Sequence, residues 1–187
     1  MKEVITMSGE RALLHSQSTS ISFVAFQAEV KQHLKILQAE ESALVDAWHM
    51  FAEECEVWPD QCKRIMVSLS TSGKAINSFC TFLENSSFLL SSVSLSLCSL
   101  LISLRLMDEQ VKQLNSLIGQ FRFLCRSSSG KSSRLRQEIL SGFEVLMQEY
   151  GKISERVLIL FDRARFKEQK NKYVRTGTCP SFIQTTW

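Results

Sequence analysis

Two prolines and seven glycines in 187 residues leave little punctuation for turns. Sheet-rich folds need many turns, so this scarcity excludes a many-stranded sandwich or barrel and points to a few long elements. Six cysteines stand at positions 55, 62, 80, 98, 125 and 179, but no two have CxxC spacing. Neither a zinc ribbon nor a dithiol redox motif is therefore written in the chain. Cys80, Cys98 and Cys125 fall in apolar context, which suits reduced core cysteines of an intracellular protein. Met1–Gln17 has no basic-then-apolar signal segment, so the expected location is intracellular and cytoplasmic, with membrane association as the alternative. Without secretion, the glycosylation sequon Asn85-Ser86-Ser87 is not expected to be used.

The residues that chemistry needs are equally sparse. His15, His33 and His49 have no second metal-type ligand at a chelating spacing, and neither HExxH nor a nucleophile elbow occurs. Glu40-Glu41 and Glu53-Glu54 are adjacent in sequence, so the members of each pair splay ~100° apart around a helix and form no acid/base couple. Gly130-Lys131-Ser132 ends like a phosphate-binding loop, but Cys125 stands where the motif requires its first glycine, and no strand precedes it. No catalytic residue, metal ligand, cofactor or small-molecule substrate is expected, and the chain is not read as an enzyme.

What the sequence does hold is period. Between Ile65 and Cys125 apolar residues recur three and four apart, and only Ser72 and Ser86 interrupt the register. The second half of this seam is Val93, Leu97, Leu100, Leu104, Met107, Val111, Leu114, Ile118 and Phe121. A spacing that averages 3.5 marks a helix packed lengthwise on other helices. Helix one carries Phe23, Val30, Leu34, Leu37, Leu44, Trp48, Phe51 and Cys55, with Glu41 in one core slot and Phe26 widening the stripe. The last helix carries Leu135, Ile139, Phe143, Leu146, Tyr150, Ile153, Val157, Leu160 and Ala164. Gly142 and Gly151 should each weaken it by ~1 kcal/mol relative to alanine.

These patterns predict an all-α, antiparallel bundle of three to four long helices with coiled-coil-like packing. A flexible leader is expected over 1–18, the bundle over 19–175 and a flexible tail over 176–187. The helices are placed near 21–56, 60–84, 87–126 and 134–173. Pro59 cannot continue the first helix but suits the first turn of the second. The second boundary is open to two readings. The seam does not skip across residues 83–90, which allows one helix of about 65 residues, ~100 Å long. Compactness favours a break near Asn85 instead.

Net charge is +3, unevenly spread. Residues 1–60 hold four Lys/Arg and ten Asp/Glu, while residues 111–187 hold fourteen and six. Either the acidic first helix lies beside the basic last one, or the basic end meets an anionic partner. The basic run Arg163, Arg165, Lys167, Lys170, Lys172 and Arg175, interleaved with Phe166 and Tyr173, is a candidate contact for anionic lipid. Nucleic acid is the weaker candidate. Ser86–Leu104 is nineteen residues without charge, near the length that spans a bilayer, although eight are serine.

The leading functional expectation is a non-catalytic scaffold, adaptor or complex subunit that engages protein partners, or copies of itself, through helix–helix contacts. The motive is seam length, because an unbroken middle helix would outrun the two helices that cover it. The alternative is a membrane-associated bundle that inserts 86–104 or docks its basic last helix on anionic lipid.

Overall fold

A computed structural model describes residues 4–53, 57–86, 93–125 and 132–176. Four helices account for nearly all of them: α1 (Val4–Glu53), α2 (Pro59–Asn85), α3 (Ser94–Leu124) and α4 (Ser132–Thr176). The described residues include no strand. Helices α1 and α2 pack together, as do α2 and α3, α3 and α4, and α4 and α1, so the four close into a ring around one core. Ring contacts between side chains show the directions. Near one end, Phe26 of α1 stacks on Phe82 of α2 at 5.6 Å and meets the edge of Phe161 of α4 at 6.4 Å. Towards the other end, Phe51 of α1 lies 5.4 Å from Phe121 of α3 and 6.2 Å from Phe143 of α4. Each helix thus runs opposite to its neighbours in an antiparallel four-helix bundle.

The break at Asn85 decides the architecture. Helix α2 stops there, the backbone amide of Ser86 closing on the carbonyls of Phe82 and Leu83, and α3 then runs back along α2. The long seam folds onto itself. All nine residues from Val93 to Phe121 named above are buried inside the bundle. They form the core, and the expectation that part of an overlong middle helix seeks a partner fails with them. At the start of α2, Pro59 occupies the first turn, as its locked φ and missing N–H allow. The Gln61 side chain accepts the Trp58 amide proton at 2.7 Å there.

One boundary and the placement of two cysteines differ from the sequence reading. Helix α1 begins at Val4, so from that residue onward the expected leader is part of the first helix. No proline precedes Pro59 and Gly9 is the sole glycine before it; Glu10-Arg11-Ala12-Leu13-Leu14 are strong helix formers. A missing apolar period removes the packing signal without removing propensity. Cys98 and Cys125 are exposed, not in the core, whereas Cys62 and Cys80 are buried. Cys98 is one residue out of phase with Leu97, and Cys125 sits in the turn that ends α3. The Gly130-Lys131 pair, Cys55, Cys179 and residues 177–187 lie outside the described residues.

Several polar groups within the bundle are paired, although Trp48 Nε1, Asn115 Oδ1 and Arg122 Nε are buried without a hydrogen-bond partner. The Ser72 and Tyr150 hydroxyls, from diagonally opposed α2 and α4, share a buried hydrogen bond. Burial pushes the Tyr150 phenol up to about 12, partly offset by that bond. Asp108, nearly buried on α3, accepts from Asn77 Nδ2 of α2 at 2.9 Å and pairs with Lys112 Nζ at 2.7 Å. On the surface, Arg105 of α3 meets Glu84 of α2. At the far end Arg136 of α4 donates from Nε to the Phe51 carbonyl at 2.9 Å, near the close of α1.

Candidate interaction surfaces

The core phase of α3 fixes which of its residues face outward. Opposite the seam lie Leu95, Cys98, Ile102 and Leu106, spaced three, four and four apart with no charge among them. Leu95 is 82% exposed, and Ile102 and Leu106 are each 59% exposed. Leu95, Cys98 and Ile102 belong to the uncharged segment Ser86–Leu104, and Leu106 follows it beyond Arg105. No helix among the described residues is long and apolar enough to cross a membrane. Val93, Leu97, Leu100 and Leu104 from that segment point into the bundle, and among its described residues Leu95, Cys98 and Ile102 are exposed. Reading the sequence for one seam per helix missed it. The signal was present as a second set of apolar residues, half a turn out of phase with the first.

The basic run sits on the last turns of α4. Arg163, Arg165, Lys167, Lys170 and Arg175 are all exposed; the Lys172 side chain is outside the described set. Arg163 Nη1 donates to Ser96 Oγ of α3 at 2.7 Å, which ties the run's first turn to the start of α3. Arg163, Phe166, Lys167, Lys170 and Val174 share one face, at steps of three, four, seven and eleven residues. Phe166 and Val174 on that face are 67% and 74% exposed. Beside it, Val93 just before α3, Leu95 of α3 and Asp162, Arg163, Phe166 and Lys167 of α4 line an open hollow of about 540 Å³.

Antiparallel packing separates the two charge blocks. Helices α1 and α4 are neighbours, as one sequence reading required. The acidic residues Glu40, Glu41, Asp46 and Glu53, however, lie towards the Phe51 end, where α4 begins. The basic run starts beyond Phe161, which is level with Phe26. From Phe26 back to Val4, α1 carries just Glu10 and Arg11 as charged residues. The positive end of α4 is therefore not balanced by the acidic part of α1.

Among the described residues, no group of three or more His, Cys, Asp or Glu side chains could hold a metal ion. The buried Cys62 and Cys80 thiols are pushed up to about 11, mainly by desolvation, so both stay protonated at neutral pH. His33 stacks 5.0 Å from Phe79 and its pKa is lowered by burial, with Glu29 acting weakly in the opposite sense. Glu41, on α1, is raised by the same loss of water. A small cavity of about 60 Å³ touches Glu41 and Tyr150, room for no more than a water or two. No protein-family model matches the chain, and neither a curated protein nor a solved structure matches it.

Proposed function

We propose that this protein is a non-catalytic helical scaffold, adaptor or complex subunit that binds a partner helix along the outer face of α3. One observation carries the reading: Leu95, Cys98, Ile102 and Leu106 form an uncharged apolar stripe with helical seam spacing, left uncovered by the bundle. Such a stripe matches the anchors of helix-in-groove and coiled-coil recognition, where apolar side chains recur every three to four residues. Exposed apolar surface of this kind on a folded domain marks interaction sites. The protonated buried Cys62 and Cys80 thiols and the hydrogen-bonded Tyr150 fit a structural role.

Insertion of 86–104 into a bilayer is disfavoured as a second reading. It would withdraw Val93, Leu97, Leu100 and Leu104 from the core they fill and leave the apolar faces of the other helices that pack on them uncovered.

The test places a photo-crosslinking residue at position 102 and, as a control, at the exposed Gln120 five turns further along the same face. Support is a protein adduct formed from 102, absent from 120, and lost with Leu106→Glu. Sedimentation velocity distinguishes a second copy from a foreign partner. A monomer with no adduct from either position overturns the reading.

A further inference from the structure

We infer that the end of the bundle formed by the last turns of α4 and the start of α3 docks on an anionic lipid surface. The first support is charge. From Asp162 to Thr176, α4 carries six Lys/Arg against two Asp/Glu, a net +4. That charge lies beyond the acidic stretch of α1, since Phe161 is already level with Phe26. Four of its cations, Arg163, Arg165, Lys167 and Lys170, are exposed within eight residues.

The second support is the pattern of apolar groups among the cations. Phe166 and Val174 stand on the same face as Arg163, Lys167 and Lys170, and Leu95 of α3 projects beside Phe166. Two apolar residues eight apart, with cations between, make a poor seam for a protein helix, which needs an anchor every three to four residues. They do suit a membrane interface, where aromatic and aliphatic side chains enter the acyl boundary and cations stay among the headgroups. The outer stripe of α3, which meets this end at Leu95, shows the opposite arrangement, continuous and uncharged, so the two surfaces differ in kind. A third support is rigidity. The Arg163–Ser96 hydrogen bond holds α4 against α3, so Phe166 and Leu95 are presented together.

Co-sedimentation of the 187-residue chain with vesicles tests the inference. Neutral phosphatidylcholine vesicles are compared with vesicles containing 30% phosphatidylserine, at low and high salt. Partitioning is expected on the anionic vesicles alone and to weaken as salt rises. Each surface cation contributes about fivefold, so Lys167→Gln with Lys170→Gln should lower the partition coefficient about thirtyfold. Phe166→Ser should lower it as well. All three residues are exposed, and unchanged circular dichroism of the variants checks that the fold is kept. Ile102→Glu, on the α3 stripe, should leave vesicle binding unchanged, which separates this inference from the partner-helix reading. Failure to bind anionic vesicles overturns the inference. So does equal binding to neutral ones, or binding that survives either the Lys pair or the Phe166 change. Capture of an acidic peptide without vesicle binding overturns it in favour of a protein partner.

Discussion

One chemical change made at two places on α4 should have opposite consequences. By propensity alone, Gly142→Ala and Gly151→Ala each gain ~1 kcal/mol, because alanine loses less backbone entropy in a helix. The bundle treats the two positions differently. A methyl group added at Gly151 meets nothing within 4 Å. One added at Gly142 falls 2.6 Å from Leu114 Cδ2, 3.3 Å from Leu114 Cγ and 3.2 Å from Gln110 Nε2. Leu114 belongs to α3 and is fully buried, so its isobutyl group cannot swing away without displacing neighbours. Overpacking of this kind costs about 1–3 kcal/mol. Gly151→Ala should therefore gain up to ~1 kcal/mol, while Gly142→Ala should lose about 0–2 kcal/mol net. Urea unfolding measures both, read as midpoint shifts at constant m-value. In a thermal melt each kcal/mol corresponds to about 2–4 °C for a chain of this size. The reasoning is refuted if the two variants are stabilised equally, because α3 and α4 would then not approach closely at Gly142.

Three further expectations follow from the interior. Ser72→Ala or Tyr150→Phe alone leaves one buried hydroxyl without its partner and should cost ~1–3 kcal/mol, whereas the double variant should recover most of that loss; additive losses in a denaturation cycle count against the bond. Phe143→Asp or Leu146→Asp buries an unpaired charge at a fully enclosed site and should cost several kcal/mol; an unchanged melting temperature contradicts the assignment of α4's core face. The third concerns pH. Burial lowers the folded-state pKa of His33 below 6.5, so the stability linked to it is present above 6.5 and is lost as pH falls towards the folded value. Glu41 is raised above 4.5, so its contribution is present below 4.5 and lost as pH rises through the folded value. Glu41→Gln should consequently stabilise the protein at pH 7, and His33→Asn should flatten the loss of stability between pH 7 and 5.5, both read from urea midpoints.

Period carried most of the fold. Residues such as Val111, Leu114 and Ile118 could be placed in the core from spacing alone, because a 3.5-residue repeat admits one buried face. The break at Asn85 was harder, since the apolar register runs through it and only the short polar Asn85-Ser86-Ser87 marks the place. The start of α1 at Val4 was not readable, because a helix without an apolar stripe leaves no pattern. Gly142 and Gly151 look identical to propensity; a neighbouring helix distinguishes them. The basic run was plain in the sequence, but its separation from Glu40, Glu41, Asp46 and Glu53 of α1 depends on antiparallel direction and on where Phe161 meets Phe26. The outer stripe of α3 was visible in phase and went unnoticed because an uncharged segment invites a membrane reading first.

The contact between Arg136 and the Phe51 carbonyl bears on how four such rods settle at a single height. A heptad-like apolar strip fits its neighbour almost as well after sliding one repeat, ~10 Å. Grease alone is thus nearly indifferent to axial position. The carbonyls of the last turn of α1 occur once along its length and carry partial negative charge. A guanidinium near the start of α4 finds them at one alignment only. Most of the adhesion is spread along the shafts, while the vertical setting is decided by a detent at their tips.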